Sequence, residues 1–302
     1  MSTIIENFEP LAVDVLFKGS DLSIILNDNR ELLVPLQLFP RLMNANEEQR
    51  NKWRLIGEGM GIHWKEIDED LPVEPLVRDS RTKILLKKIN IYNIDIGKIN
   101  EKEVNFAWAR GKVDNYELIA LHSSSNIKDL VDCIKNDLND NIHTAIGFEC
   151  PLFIPLRDDP LRLNEQREGE KGRPWSAGAG SQVLVIGISE ILWILKNIKD
   201  GLKKDVQPFL NWDDFCRSHS GIFIWESFIS FKKKITGEKK HDHIMDAEKG
   251  VRSFFQALPE PFEYNAIQEK KVHSLIGSAL LRSGWSNDLT LLEKSTLTIK
   301  AS

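Results

Sequence analysis

The opening of the chain alternates short apolar runs with clusters of turn-forming residues. Residues 11–17 stop at Lys18-Gly19-Ser20-Asp21, residues 22–26 stop at Asn27-Asp28-Asn29-Arg30, and residues 31–34 complete the set. Short apolar runs bounded by Gly, Asn and Asp predict three strands joined by two tight turns, an antiparallel meander. Residues 40–42 and 46–50 read as short helical turns. Asn46 is the expected N-cap, and Glu47 and Glu48 fall in the first turn, where the helix dipole favours acids. Trp53, Leu55, Ile56, Ile62 and Trp64 are expected to close the core of this module. Pro72, Pro75 and the polar run from Arg78 to Lys83 read as a linker, with a boundary near residue 80. Residues 84–102 suit either strands or connecting segments.

Beyond the boundary the period changes. Residues 104–109, a turn over 111–115 and residues 116–121 predict strand, turn, strand. Ser125 or Asn126 caps a helix in which Ile127, Leu130, Val131, Ile134 and Leu138 recur at helical spacing. Residues 144–148 form a short buried strand ending at Glu149, and a polar segment follows over 157–173. A long helix covers about 180–198. Residues 222–225 form another apolar strand, ending at Glu226. Residues 246–258 are helical with Val251, Phe254, Phe255 and Leu258 on one face, a further helix covers about 271–281, and residues 289–299 supply a last strand or two. A hairpin followed by alternating helices and strands predicts a mixed-sheet α/β domain. The expected organisation is a small α+β module over 1–80, followed by that α/β domain over 81–302.

Composition narrows the setting. Of 302 residues, 41% are apolar and 28% charged, an ordinary globular balance. The formal net charge of −5 argues against coating nucleic acid by bulk positive charge, while leaving room for a local basic surface. Cys133, Cys150 and Cys216 form no CxxC pair, and an odd number makes a poor disulfide framework, so a reduced, cytoplasmic setting is expected. The N-terminus lacks the basic and apolar regions of a secretory signal. The longest apolar stretch, 183–195, contains Ser189 and Glu190 and reads as a buried helix too short to span a bilayer, so no membrane partner is expected.

Two buried-looking strands end in a carboxylate, Glu149 and Glu226, and Asp246 begins an amphipathic helix. Acids at strand ends in α/β sheets point into the crevice where ligands bind. Three acids from separate elements can hold one or two Mg²⁺ ions, which prefer oxygen ligands and substrate phosphates, and a two-ion site stabilises both the attacking and leaving oxygens of phosphodiester cleavage. Taken singly, each acid has a plainer reading: a strand-end partner for an arginine, or a helix-start acid favoured by the dipole. Arg157, Arg162, Arg167, Lys171 and Arg173 follow Glu149 and suit phosphate oxygens, or simply a solvated polar loop. Asp68, Glu69 and Asp70 sit on alternate faces of a strand and read as an acidic rim. His63 reads as structural. The small residues Gly178 and Gly180 permit close packing, or an anion at a helix N-terminus. His241 and His243 lack a zinc-ligand partner, and His243 suits a supporting role beside Asp246. The Lys232-Lys233-Lys234 run reads as a solvated face.

Two resemblances follow from these residues. Pro35-Leu36 with Phe39-Pro40-Arg41-Leu42, Trp53-Arg54-Leu55-Ile56-Gly57, and Gly61-Ile62-His63-Trp64 with Ile67-Asp68-Glu69-Asp70 resemble a small bacterial domain family of unknown function over residues 8–77. A partner-binding or regulatory role for the module is consistent with that. Over residues 100–300, Glu149-Cys150-Pro151-Leu152, Glu226 after Ile224-Trp225, and His243 with Asp246-Ala247 resemble a predicted nuclease branch of the ribonuclease-H-like superfamily. That resemblance implies a metal-dependent nuclease using Mg²⁺ or Mn²⁺ on DNA or RNA. Glu149, Glu226 and Asp246 are then the catalytic metal ligands, Asn105 or Glu103 completes the shell, Arg157, Arg162, Arg167 and Arg173 contact substrate, and His243 supports the site. The superfamily places an Asp on its first strand, whereas residues 104–109 contain none. The alternative is a catalytically degenerate protein of that fold, binding nucleic acid or protein.

Overall fold

The computed structural model describes residues 9–100, 105–170, 174–229 and 243–301. Two compact units divide it: residues 1–88 with 216–219, and residues 89–215 with 220–302. The break falls at 88 rather than near 80, and the reason lies in the stretch expected to be a linker.

The first unit opens with the meander that the alternation predicts. β1 (Ala12–Lys18), β2 (Asp21–Leu26) and β3 (Arg30–Pro35) pair antiparallel in sequence order. Two short helices follow, α1 (Pro40–Asn44) and α2 (Glu47–Asn51). Asn46 caps α2 by accepting from the Gln49 N–H, while the Gln49 side chain accepts from the Asn46 N–H, a reciprocal capping box. β4 (Trp53–Ile56), β5 (Gly61–Trp64) and β6 (Glu69–Pro72) form a second antiparallel sheet. Pro72 and Pro75 do not open a linker. α3 (Val73–Arg78) buries Val73, Leu76 and Val77, and β7 (Lys83–Leu86) returns to pair with β3, so the chain stays in the first unit until residue 88. Proline is tolerated in the first turn of a helix, where its missing N–H has no partner to lose.

The second unit is built on one mixed sheet. Its strands are β8 (Lys88–Asp95), β9 (Ala107–Asp114) and β10 (Glu117–Ser124), then β11 (Thr144–Phe148) after helix α4 (Ile127–Asn139). β12 (Phe153–Pro155) leaves the sheet, and the long helix α5 (Gly178–Asp200) leads to β13 (Pro208–Phe209) and α6 (Trp212–Arg217). β14 (Ile222–Ile229), α7 (His243–Ala257), β15 (Val272–Ser274), α8 (Leu275–Arg282) and β16 (Thr298–Ala301) complete the chain. The strand order is β10-β9-β8-β11-β14-β13, with β16 also on β14. β11 runs parallel to both β8 and β14.

One expectation is corrected here and one open reading is settled. The hairpin turn lies at Asn115 and Tyr116, both at positive φ, not at 111–115, because residues 111–114 stay paired to β10. The stretch 84–102, which suited either strands or connections, holds β8, the strand that adjoins β11.

Helices cover both faces. On one, Tyr92, Ile94, Ile146, Phe148, Ile222 and Ile224 face the buried sides of α4 and α5. On the other, Phe223 and Trp225 stack on Phe254 of α7 with ring centroids 6.1 and 4.8 Å apart. α7 buries Asp246, Ala247, Gly250, Val251, Phe254 and Ala257, a single stripe at helical spacing. α5 is longer than its sequence reading: 23 residues, within which an 18-residue stretch has a mean hydropathy of 1.6, enough by length and composition to cross a bilayer. Its Ile191, Ile194, Leu195 and Ile198 are buried in the core of this unit, and Val185 and Ile188 are exposed. Among the described residues, Cys133, Cys150 and Cys216 form no disulfide.

Candidate site at the carboxyl end of the sheet

β8 carries the acid that the sequence reading lacked. Its run Ile89-Asn90-Ile91-Tyr92-Asn93-Ile94-Asp95 ends in a carboxylate, as β11 ends at Phe148 before Glu149. The two strands are parallel, with Gly147 opposite Asn93 and Phe148 opposite Ile94, and the Glu149 N–H donates to the Ile94 carbonyl. Pairing at that level sets Asp95 and Glu149 side by side at the ends of neighbouring strands. Side chains alternate along a strand, so Asn93 and Asp95 leave the sheet on the face opposite Tyr92 and Ile94. That is the α7 face: a Cβ added to Gly250 would overlap the Asn93 amide, and His243 Nδ1 lies 2.7 Å from Asp95 Oδ2. Asp246, one turn before Gly250 on the same buried stripe, is 4% exposed, and Lys249 Nζ lies 3.2 Å from its Oδ1. Asp95 and His243 are thus in contact, Glu149 follows the strand beside Asp95, and Asp246 lies one turn along α7 from His243.

A second acid was missed. Glu190 lies on α5, which approaches closely because Gly187 leaves no room for a side chain against Cys150 and Ile96. Burial and the nearby Asp95 charge push the Glu190 carboxyl up to about 7, partly opposed by a hydrogen bond from the Gly97 N–H. Among the described residues, its Oε2 is buried without a hydrogen-bond partner.

Glu226 stands differently. It lines a small crevice with Glu149, yet it alternates with Ile222 and Ile224 and so leaves the sheet on the α5 side. Both of its oxygens are engaged. Arg167 forks onto them at 2.7 and 2.8 Å, and the Leu152 N–H donates at 2.9 Å. Glu170 closes the other side of the same guanidinium, and Arg167 is fully buried. This is the arginine-paired strand-end acid: Glu226 shares a crevice with Glu149, but its charge is met by Arg167, which is itself enclosed between Glu226 and Glu170. Arg157 forks onto Glu269 at 2.7 and 2.8 Å, whereas Arg162 is largely exposed, with Glu165 at 2.6 Å. Arg173, Glu103, Lys171, His241 and the Lys232-Lys233-Lys234 run lie outside the described residues. Asn105 precedes β9, and its N–H donates to the Lys98 carbonyl. Gly178 and Gly180 fall in the first turn of α5: a Cβ at Gly180 would overlap the Pro174 carbonyl, whereas Gly178 faces open space at positive φ. In the first unit His63 pairs with Asp70 at 2.6 Å, consistent with a structural histidine.

The donor chemistry of Asp95, Glu149 and Asp246, carboxylate oxygens alone, suits a hard divalent cation. Their spacing is wider than a finished ligand shell: among the described residues, no three His, Cys, Asp or Glu side chains are already gathered as one ion's ligands.

Comparison with known proteins speaks to the first unit. Residues 12–82, fewer than half of the chain, match the family described as Protein of unknown function (DUF2442). A crystal structure of a protein of unknown function from Rhodospirillum rubrum is similar at 25% identity, over 24% of this chain and 88% of that one, with a TM-score of 0.22. No curated protein matches the sequence. The N-terminal module is thus similar to a domain family without an assigned activity, in agreement with the residues from Pro35 to Asp70 that carried the resemblance.

Proposed function

We propose that the second unit is a ribonuclease-H-like domain that cleaves phosphodiester bonds of DNA or RNA with the help of Mg²⁺ or Mn²⁺. The observation that carries this reading is Asp95 beside Glu149 at the ends of two parallel central strands, under the α7 turn that bears His243 and Asp246. The strand order β10-β9-β8-β11-β14 supports this reading, offering Asp95 on the strand next to β11 where residues 104–109 offer only Asn105. Asp95, Glu149 and Asp246 would hold the cation, and His243 would orient Asp95 from behind. A bound divalent ion supplies charge neutralisation for the phosphate and lowers the pKa of water. Such an ion would also draw the acids together, since their mutual repulsion favours wider spacing without it. Of Arg157, Arg162 and Arg167, Arg162 is the one exposed to meet a phosphate backbone, and the N-terminal module would engage a protein partner.

The spacing of the acids favours a second reading, a domain of this fold that binds nucleic acid without cutting it. Calorimetric titration of Mn²⁺ and Mg²⁺ into the full chain, paired with cleavage of labelled single- and double-stranded DNA and RNA, separates the two. Saturable ion binding and cleavage, both lost in Asp95→Asn, support the nuclease. Nucleic-acid binding without ion binding supports the second reading, and neither activity would sink both.

A further inference from the structure

Apart from the acid-lined end of the sheet, the second unit has a groove between α5 and α8. Leu184, Ile188 and Leu192 wall one side, Leu275 and Ala279 the other, and the cavity is about 280 Å³. Ile188 is 49% exposed, and water gains little from such a slot. The polar groups lie along the α8 side. Ser278 and Arg282 are four residues apart and so share one face of the helix, and His273 lies just ahead of it. No acid is among the residues lining the groove, and Arg282 makes no ion pair among the described residues.

We propose that this groove binds a small amphiphilic anion, a medium-chain carboxylate, with its tail between α5 and α8 and its headgroup on Arg282. Charge selects the ligand. A cation would meet an unpaired guanidinium, and a neutral hydrocarbon would leave that guanidinium unused at the end of an apolar slot. Size selects it too. The cavity sits at the lower edge of small-molecule pockets, room for about a dozen non-hydrogen atoms and too little for a docked helix. The inference does not depend on the nuclease reading, since none of its residues belongs to that site.

The test is calorimetric titration of decanoate and of decanol into the full-length protein. One saturable decanoate site is expected. Arg282→Gln should weaken decanoate at least tenfold and leave decanol unchanged. Ile188→Asp, at a half-exposed position that tolerates charge, should abolish decanoate binding by setting an anion against it. Absence of a saturable decanoate site overturns the proposal, as does decanoate affinity indifferent to Arg282→Gln. If light scattering instead shows concentration-dependent dimers that Ile188→Asp dissolves, the groove is occupied by a second copy and the ligand proposal falls.

Discussion

At the scale of single residues, the acids divide by what faces them. Glu226 has Arg167 and a backbone N–H, so its charge is satisfied within the protein. Removing one partner from such a buried pair strands the other, at a cost of about 3–5 kcal/mol. Arg167→Met should therefore destabilise the chain by that order in urea denaturation, because Glu226 and Glu170 are both left behind. A loss under 1 kcal/mol would show that the fork is dispensable. Glu190 behaves in the opposite sense. Its folded carboxyl titrates near 7 against an ordinary 4.5, so the folded state holds the proton that the unfolded chain releases. The stability linked to that proton is complete below about pH 4.5 and is lost as pH rises through 7. Glu190→Gln, which stays neutral, should be more stable than the parent at pH 8 by about 1–2 kcal/mol after allowance for partial exposure, and nearly equal to it at pH 5. Denaturation with a chelator present reads this directly. A parent as stable as the variant at pH 8 would show that Asp95 and burial do not press on Glu190. The sequence made Glu149, Asp246 and Glu226 visible because each ends or begins a clear apolar pattern. It did not distinguish them, because whether an arginine 59 positions away folds onto a carboxylate depends on tertiary structure.

Elements explain why Asp95 escaped notice. Residues 88–95 are buried on both faces yet carry Asn90, Asn93 and Asp95 among the apolar residues, so neither clean alternation nor a continuous apolar run marks them as a strand. The acid-terminated form that exposed Glu149 was present at Asn93-Ile94-Asp95 as well, and comparing the two runs would have found it. α7 was read more fully, since its apolar stripe at helical spacing is sharp. What the stripe did not disclose is Gly250, the point at which α7 closes on β8. The buried Asn93 amide occupies the volume that a Cβ at 250 would need. Gly250→Ala gains helix propensity worth up to about 1 kcal/mol, yet overpacking of this kind typically costs about 1–3 kcal/mol. A net destabilisation is expected. Asn93→Ala in the same chain should recover it, because shortening residue 93 returns the space, and the double-mutant cycle should show coupling above about 0.5 kcal/mol. Additive effects would mean that the helix and strand adjust independently at this contact.

At the scale of the whole molecule, the boundary expected near 80 lies within about ten residues of the break at 88, but the structure of the stretch before it was not legible. Proline and charge at 72–83 imitate a linker, whereas the stretch holds α3 and the strand β7 that completes the first sheet against β3. Composition records local preference; the pairing of residues 83–86 with 30–33 is long-range and leaves no local trace. The consequence can be measured with truncations. A fragment ending at residue 75 loses β7 and half of α3, leaving Leu32 and the rest of β3 as an unpaired edge. A fragment ending at residue 88 keeps the full four-stranded order β1-β2-β3-β7. The longer fragment should unfold cooperatively in urea, and the shorter should show no two-state transition. Even the longer one should be weaker than the same unit in the intact chain. Residues 216–219 belong to that unit, and Arg217 donates to the carbonyls of Val77, Asp79 and Thr82 while Arg30 donates to the Arg217 carbonyl. Four hydrogen bonds involving charged groups are absent from the fragment, each worth about 1.5 kcal/mol or more where water does not replace them. Restoring part of that stability by adding a peptide of residues 212–220 in trans would identify the returning segment as the missing piece. A fragment to 88 as stable as the intact unit would mean that the returning segment contributes nothing to it.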